Sequence, residues 1–164
     1  MPLRLTALLL CSTFALLPLA GAAPAAPAAS RAAPDQPEEK DAIAMAERAA
    51  ALHVGKGKEE LIRQIAARHP DFVQGSLYIY ARDFTTGINI AHPFNHSIVG
   101  KNLDDVPDNN GKLYRKDIMA VAKKEGKGWV DYMYKNPESN KVEPKTAYVL
   151  RSGDVVLVAG VYKK

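Results

Sequence analysis

Tyrosines at alternate positions are the residues of this sequence best suited to holding a small molecule. Tyr78 and Tyr80 stand two apart, as do Val130, Tyr132 and Tyr134, and that spacing puts each set on one face of a strand. Tyr148 falls on a further strand, while Trp129 and Met133 occupy the opposite phase from Tyr132. A tyrosine supplies a wall and a hydroxyl that orients a ligand, and a binding pocket needs a few polar groups among apolar walls. Any one of these rings serves equally well as core, so it is the group that makes a candidate pocket. His92 ends an apolar run and is fixed by Pro93; it is either a ligand contact or a capped histidine holding the loop that follows. Lys101 and Lys145 supply cations that a carboxylate ligand would pair with, although lysine is more often solvated. Lys145 is three residues from Tyr148 and therefore opposite in phase, so both reach one pocket only across a bulge. The candidate ligand contacts are thus Tyr78, Tyr80, His92, Lys101, Trp129, Tyr132, Tyr134, Lys145 and Tyr148.

Other chemistries find less support. His92 and His96 have the four-residue spacing of a helical metal pair, but Pro93 excludes a helix between them. Asp104, Asp105, Asp108, Asn110 and Gly111 resemble a calcium loop in composition. Aligning Gly111 with the loop glycine puts Val106 at the first ligand position, so a turn is the better reading. Lys56-Gly57-Lys58 lacks the preceding strand and glycine spacing of a phosphate loop. No serine sits in an elbow, and no histidine has an evident orienting acid. No catalytic residue, metal or cofactor is assigned, and no enzyme is expected.

The elements that must position these residues occupy the later part of a 164-residue chain. Its composition is 47% hydrophobic and 24% charged, as in a globular protein. Met1–Arg4 is a short basic segment, and Leu5–Ala20 is an almost unbroken apolar run. Ala20-Gly21-Ala22 supplies the small residues a signal peptidase reads, so residues 1–22 are expected to be a signal peptide cleaved after about Ala22. An uncleaved anchor is disfavoured by the short run and by Pro18; a lipoprotein is disfavoured by the poor sequence before Cys11. Cleavage would remove Arg4 and the only cysteine, leaving a net charge of +3, too mild and scattered to argue for nucleic acid. It would also leave no membrane insertion. Residues 23–37 form an Ala/Pro-rich linker, and residues 38–164 one domain.

Within that domain Glu38–His53 and Lys58–His69 read as helices, interrupted by Gly55 and Gly57, so they form two helices or one kinked one. Ser76–Asp83 alternates: Leu77, Ile79 and Ala81 face one way, Tyr78, Tyr80 and Arg82 the other. Ile88–His92 is the return strand of a hairpin. Pro93–Gly111 reads as a long ordered loop, and loops of that length are usually functional or disordered. Leu113–Lys124 is helical. Trp129–Tyr134, about Lys145–Arg151 and Val155–Tyr162 are strands. Val155–Ala159 is apolar on both faces, which predicts a central, covered strand. The class is α+β, with a five-stranded antiparallel sheet and one helix inserted between strands two and three.

Several ordered motifs add to this reading. They are Ile90-Ala91-His92-Pro93, Val99-Gly100-Lys101-Asn102-Leu103, Asp108-Asn109-Asn110-Gly111-Lys112 and Gly126-Lys127-Gly128-Trp129-Val130-Asp131-Tyr132. Val142-Glu143-Pro144-Lys145 and Gly160-Val161-Tyr162-Lys163 follow. Together they resemble the single Cache domain, second subtype, over roughly Glu38–Lys164. The resemblance implies a PAS-like sheet behind a long N-terminal helix, a small-molecule pocket on the sheet, and His92 beside it. Many members of that family are extracellular input modules of chemoreceptors and sensor kinases. This chain shows no transmembrane or signalling part and resembles a freestanding, secreted form. The expectation is a periplasmic or secreted sensory module for a small molecule, of which a short organic acid is one class. A membrane receptor or sensor kinase is the partner such a module would report to. The alternative is an interaction protein whose pocket is filled by its own side chains and which docks onto such a receptor or kinase.

Overall fold

The computed structural model describes residues 37–163. The signal peptide and almost all of the linker expected from the sequence lie outside the described residues. Helix α1 spans Glu39–Lys56 and α2 spans Lys58–Ala66. Between them Gly57 has φ +88°, a left-handed conformation that strains any residue with a Cβ. The interruption therefore makes two helices. Ala42, Met45, Ala46 and Ala49 form the buried stripe of α1, and Leu61 and Ile65 that of α2.

Six strands follow: β1 Val73–Gln74, β2 Leu77–Asp83, β3 Asn89–Ala91, β4 Lys127–Lys135, β5 Val142–Ser152 and β6 Val155–Tyr162. Helix α3, Tyr114–Lys124, lies between β3 and β4. All pairings are antiparallel, in the order β1-β2-β6-β5-β4, with β3 also paired to β2. The sheet has one strand more than the alternation predicts, because a two-residue strand carries no readable period. Strand β6 sits between β2 and β5, and its residues Val155 to Val161 are all buried.

Alternation divides the side chains between two cores. Leu77, Ile79, Ala81, Leu157 and Ala159 pack beneath α1 and α2. Tyr78, Tyr80, Val130, Tyr132, Val156 and Val158 face α3, whose Ile118, Met119 and Ala122 cover them. A polar clamp ties the α1–α2 junction to two hairpin ends. Lys58 Nζ donates to Asp83 at 3.0 Å and Asp154 at 2.9 Å, and His53 Nδ1 lies 2.9 Å from Ser152 Oγ.

The segment from Pro93 to Gly111 is an ordered loop with one 3-10 turn at His96–Ile98. Its hydrogen bonds run to fixed partners. Asp108 is the main anchor: Oδ1 accepts from Asn110 N and Lys112 N, each at 2.9 Å, and Oδ2 accepts from Met133 N on β4 at 2.8 Å. Burial alone would raise its carboxyl, but these backbone donors outweigh that and hold it below the usual value. Asp108, one of the acidic residues that resembled a calcium loop, is therefore a staple between loop and sheet. Arg82, fully buried, is a second anchor, donating to Arg115 O, Gly87 O and the Asp104 carboxylate.

Candidate functional site

The loop and the start of α3 stand off the tyrosine face of the sheet and leave a cavity of about 570 Å³. That is the size of a small-molecule site. Its walls include Tyr78 from β2, His92 and Phe94 from the loop, Tyr114 and Arg115 from α3, and Tyr134 from β4. Val106 and Val142, 47% and 43% exposed, form an apolar mouth.

His92 follows β3 and turns inward because Pro93 ends the strand. Its Nδ1 accepts from Phe94 N at 3.1 Å and Asn95 N at 2.9 Å. That nitrogen must carry the lone pair, which leaves the proton on Nε2 as a donor. The ring stacks on Tyr80 with centroids 5.4 Å apart and tilts against Tyr78 at 5.3 Å. Burial, the largest cause, together with repulsion from nearby positive charge, pushes its pKa down to about 3, so it is neutral near pH 7. His92 thus joins both roles the sequence left open: it caps the following loop and lines the cavity.

Lys145 lies on β5 directly opposite Tyr132 on β4 and Tyr162 on β6, so its side chain takes the tyrosine face. It is 1% exposed, and its Nζ has no hydrogen-bond partner among the described residues. The Nζ stands 3.5 Å from the Tyr78 ring centre, 4.7 Å from Tyr162 and 5.9 Å from Tyr134. Burial holds the amine well below its ordinary pKa. Gly160 makes this path possible: a Cβ there would meet Lys145 Cε at 2.5 Å and Thr146 O at 2.9 Å. A glycine inside a strand often marks such a close approach.

Behind His92 and Tyr134 a recess of about 10 Å³ continues inward, lined by Tyr80, Asn89 and Tyr132 among others. Tyr132 stacks on Tyr114 with centroids 4.1 Å apart. Burial pushes Tyr80 up to about 12, and raises Tyr78, Tyr114 and Tyr132 as well, so the hydroxyls keep their protons.

Of the residues expected at the site, Tyr78, His92 and Tyr134 line the cavity, Lys145 abuts it through Tyr78, and Tyr80 and Tyr132 line the recess. Three are placed elsewhere. The β4–β5 and β5–β6 registers run without a shift, so no bulge brings Tyr148 round to the face of Lys145. Tyr148 packs in the core under α1, and Trp129 lies against it at 5.1 Å, at the same side of the sheet. Lys101 is exposed on the loop, where its carbonyl accepts from Asn89. Phe94, Tyr114 and Arg115 went unrecognised as wall residues. Arg115 had a signal: it precedes Ile118, Met119 and Ala122 by three, four and seven residues, which puts a cation in the apolar stripe of α3.

Within the cavity Arg115, Lys135 and the His92 ring offer donors. The Asp108 carboxylate, its nearest acid, is taken up by three backbone amides. Among the described residues no three His, Cys, Asp or Glu side chains converge to hold a metal, and no helix is long and apolar enough to cross a membrane.

An antiparallel sheet with α1 and α2 on one face, and α3 and a long loop over a tyrosine- and histidine-walled cavity on the other, is the architecture of a ligand-binding domain. The family model Single Cache domain 2 matches residues 37–164, and the chain belongs to that family. Solved structures agree. A periplasmic sensor domain of a chemotaxis protein is 25% identical, with a TM-score of 0.58 over 76% of this chain and 90% of that one. A methyl-accepting chemotaxis protein from Vibrio parahaemolyticus RIMD 2210633 is 25% identical, with a TM-score of 0.57 over 75% of this chain and 81% of that one. A Cache chemosensory domain described for its recognition of carboxylic acids shares the fold at 20% identity, with a TM-score of 0.59 over 76% and 88%.

Proposed function

We propose that this chain is an exported sensory module that binds a small organic acid in the cavity between β2, β4 and the Pro93–Gly111 loop. The observation that carries the reading is Lys145, a buried amine with no hydrogen-bond partner among the described residues, beside a cavity of ligand size. Burial favours the neutral form of this amine, and a carboxylate brought beside it would restore the proton and supply the pair. His92 Nε2–H and the tyrosine hydroxyls add neutral donors. The same inventory disfavours amino acids and amines, because the Asp108 carboxylate is already committed and an ammonium group would meet cations. The similarity to a Cache domain that recognises carboxylic acids points the same way.

Export follows from the signal peptide read in residues 1–22, with release into the periplasm or medium as residues 38–164 behind the Ala/Pro linker. The partner would be a membrane receptor or sensor kinase. Ligand would shift the population of loop positions over the sheet, and the partner would read that difference. A filled pocket was the mark of the interaction-protein alternative, and the open volume favours binding instead.

The test is a thermal-shift screen of the purified protein against organic acids, amino acids, amines and divalent metals. A ligand at a hundredfold its Kd contributes about 2.7 kcal/mol, enough to raise the midpoint by roughly 5–10 °C. Shifts confined to acids, and lost in His92→Ala, support the reading. Shifts with amines or metals alone, or none at all, overturn it.

A further inference from the structure

Asn89, at the start of β3, is fully buried, and its Oδ1 has no hydrogen-bond partner among the described residues. The orientation of its amide is settled by the other end. Nδ2 donates to Lys101 O at 3.0 Å, where an oxygen would meet another acceptor, so Oδ1 is the atom left facing inward. The backbone adds to the same stitch: Asn89 N donates to Lys101 O at 3.0 Å, and Gly100 N to Asn89 O at 2.8 Å. Asn89 thus holds Gly100 and Lys101 of the long loop against β3 and keeps one acceptor in reserve. A buried acceptor left without a donor is costly.

Asn89 lines the recess of about 10 Å³ behind His92, and Tyr80, Tyr132 and Arg115 line it too. Each of these three brings an N–H or O–H. Burial raises the two tyrosines, so they keep their protons. Arg115 has five N–H donors, and one nitrogen is spent on Val106 O at 3.2 Å. The walls therefore offer an acceptor that needs a donor and donors that need an acceptor. An anion would meet the Asn89 oxygen, and a cation would meet the Arg115 guanidinium. A neutral molecule that both donates and accepts suits both sides. A space on the order of 10–15 Å³ holds one water, which asks for two to four polar partners. The recess is of that order and supplies them.

We propose that the recess is a binding site for a single internal water, which donates to Asn89 Oδ1 and accepts from the arginine and tyrosine wall. The site is independent of the acid-binding reading, because the recess lies behind the cavity. The water completes a path from Arg115 on α3, through Asn89, to Gly100 and Lys101 of the loop. It belongs to the fold and is not solvent for a ligand to sweep out, since displacing it would leave Asn89 Oδ1 without a donor.

A high-resolution crystal structure of the unaltered protein should show one ordered water within hydrogen-bond distance of Asn89 Oδ1. In solution, relaxation dispersion read on the water oxygen counts long-lived internal waters without interference from exchanging hydroxyl protons. Its amplitude should fall by the share of one water in Ile98→Phe, which enlarges a wall of the recess and leaves Asn89 in place. The same fall is expected in Asn89→Leu, which removes the acceptor. If Asn89→Leu does not fold, Ile98→Phe and the unaltered protein decide the matter. A recess without ordered density, density whose strength follows the halide of the buffer, or an amplitude unchanged by Ile98→Phe overturns the site. Acid binding in the outer cavity is read separately by the thermal-shift screen, so either proposal can fail without the other.

Discussion

Replacing Lys145 with methionine should make the free protein more stable and remove its acid binding. The lysine stem threads past Gly160, where a Cβ would come within 2.5 Å of its Cε, so the path is shaped for an unbranched chain. Methionine follows that path and ends in a group that needs no hydrogen bond. What is lost is an Nζ that is 1% exposed and unpartnered. An unsatisfied buried polar group costs about 1–3 kcal/mol, and more when it is charged. Burial favours the uncharged amine, so the contacts with the Tyr78 and Tyr162 rings offset little of this. The net expectation is a gain of about 1–2 kcal/mol, or roughly 3–8 °C in Tm for a domain of this size. The pH dependence gives a second reading. Burial holds the folded amine well below its ordinary value of 10.5, so between the two values the unfolded chain binds a proton that the folded chain gives up. Stability from this source is complete above the unfolded value and falls as the pH drops toward the folded one, by up to about 1.4 kcal/mol per unit. The slope should be visible in urea unfolding of the unaltered protein above neutral pH and absent from Lys145→Met. A variant that is less stable by 1 kcal/mol or more would show that the lysine stabilises the fold through its rings. A variant that still binds acids would show that Lys145 is not their partner.

His92, held at about 3 against an ordinary 6.5, should make the fold acid-sensitive: its contribution is present above pH 6.5 and lost as the pH falls toward 3, by up to about 1.4 kcal/mol per unit. His92→Gln should flatten that limb of a stability–pH profile, and an unchanged limb would assign the sensitivity to other groups. Gly160→Ala should cost about 1–3 kcal/mol in denaturant unfolding, because the added methyl meets Lys145 Cε, Thr146 O and Ala147 Cβ at 3.0 Å or less. The same change should weaken acid binding by displacing Lys145, measured by calorimetry. Asp108→Ala should cost about 1–2 kcal/mol and speed amide exchange at Met133, Asn110 and Lys112, whose N–H groups lose their acceptor. Exchange unchanged at those three amides would refute the anchoring role.

The strands were legible because their alternation is undisturbed. Leu77, Ile79 and Ala81 separate from Tyr78, Tyr80 and Arg82 in the structure as in the pattern, and the double-sided run from Val155 placed β6 at the centre. What alternation leaves undetermined is phase between strands. Lys145 and Tyr148 had to face apart unless a bulge intervened, yet which of them shared a face with Tyr132 depended on the connection between β4 and β5. The pairing of Lys145 with Tyr132 answers this, and with it go Tyr148 and Trp129. Phe94, Tyr114 and Arg115 were harder still, because their place at the cavity comes from docking a loop and a helix onto the sheet, not from any local period. The two informative clues were residues out of keeping with their surroundings: an arginine in an apolar helical stripe and a glycine in an apolar strand.

Arg115 and His92 also bear on how occupancy of the cavity would be conveyed. Arg115 holds the loop through Val106 O, and His92 holds it through the amides of Phe94 and Asn95. In the proposed reading, an acid that engages Arg115 draws on a side chain that also positions the loop, whereas an acid that engages only Lys145 relieves a buried amine on the sheet. The first would change the balance between loop positions; the second would stabilise the fold and leave that balance alone, since a ligand shifts only those equilibria whose states it distinguishes. Thermal stability and loop protection are therefore separable readouts of this cavity, and an acid that raises the melting point is not on that account a signal.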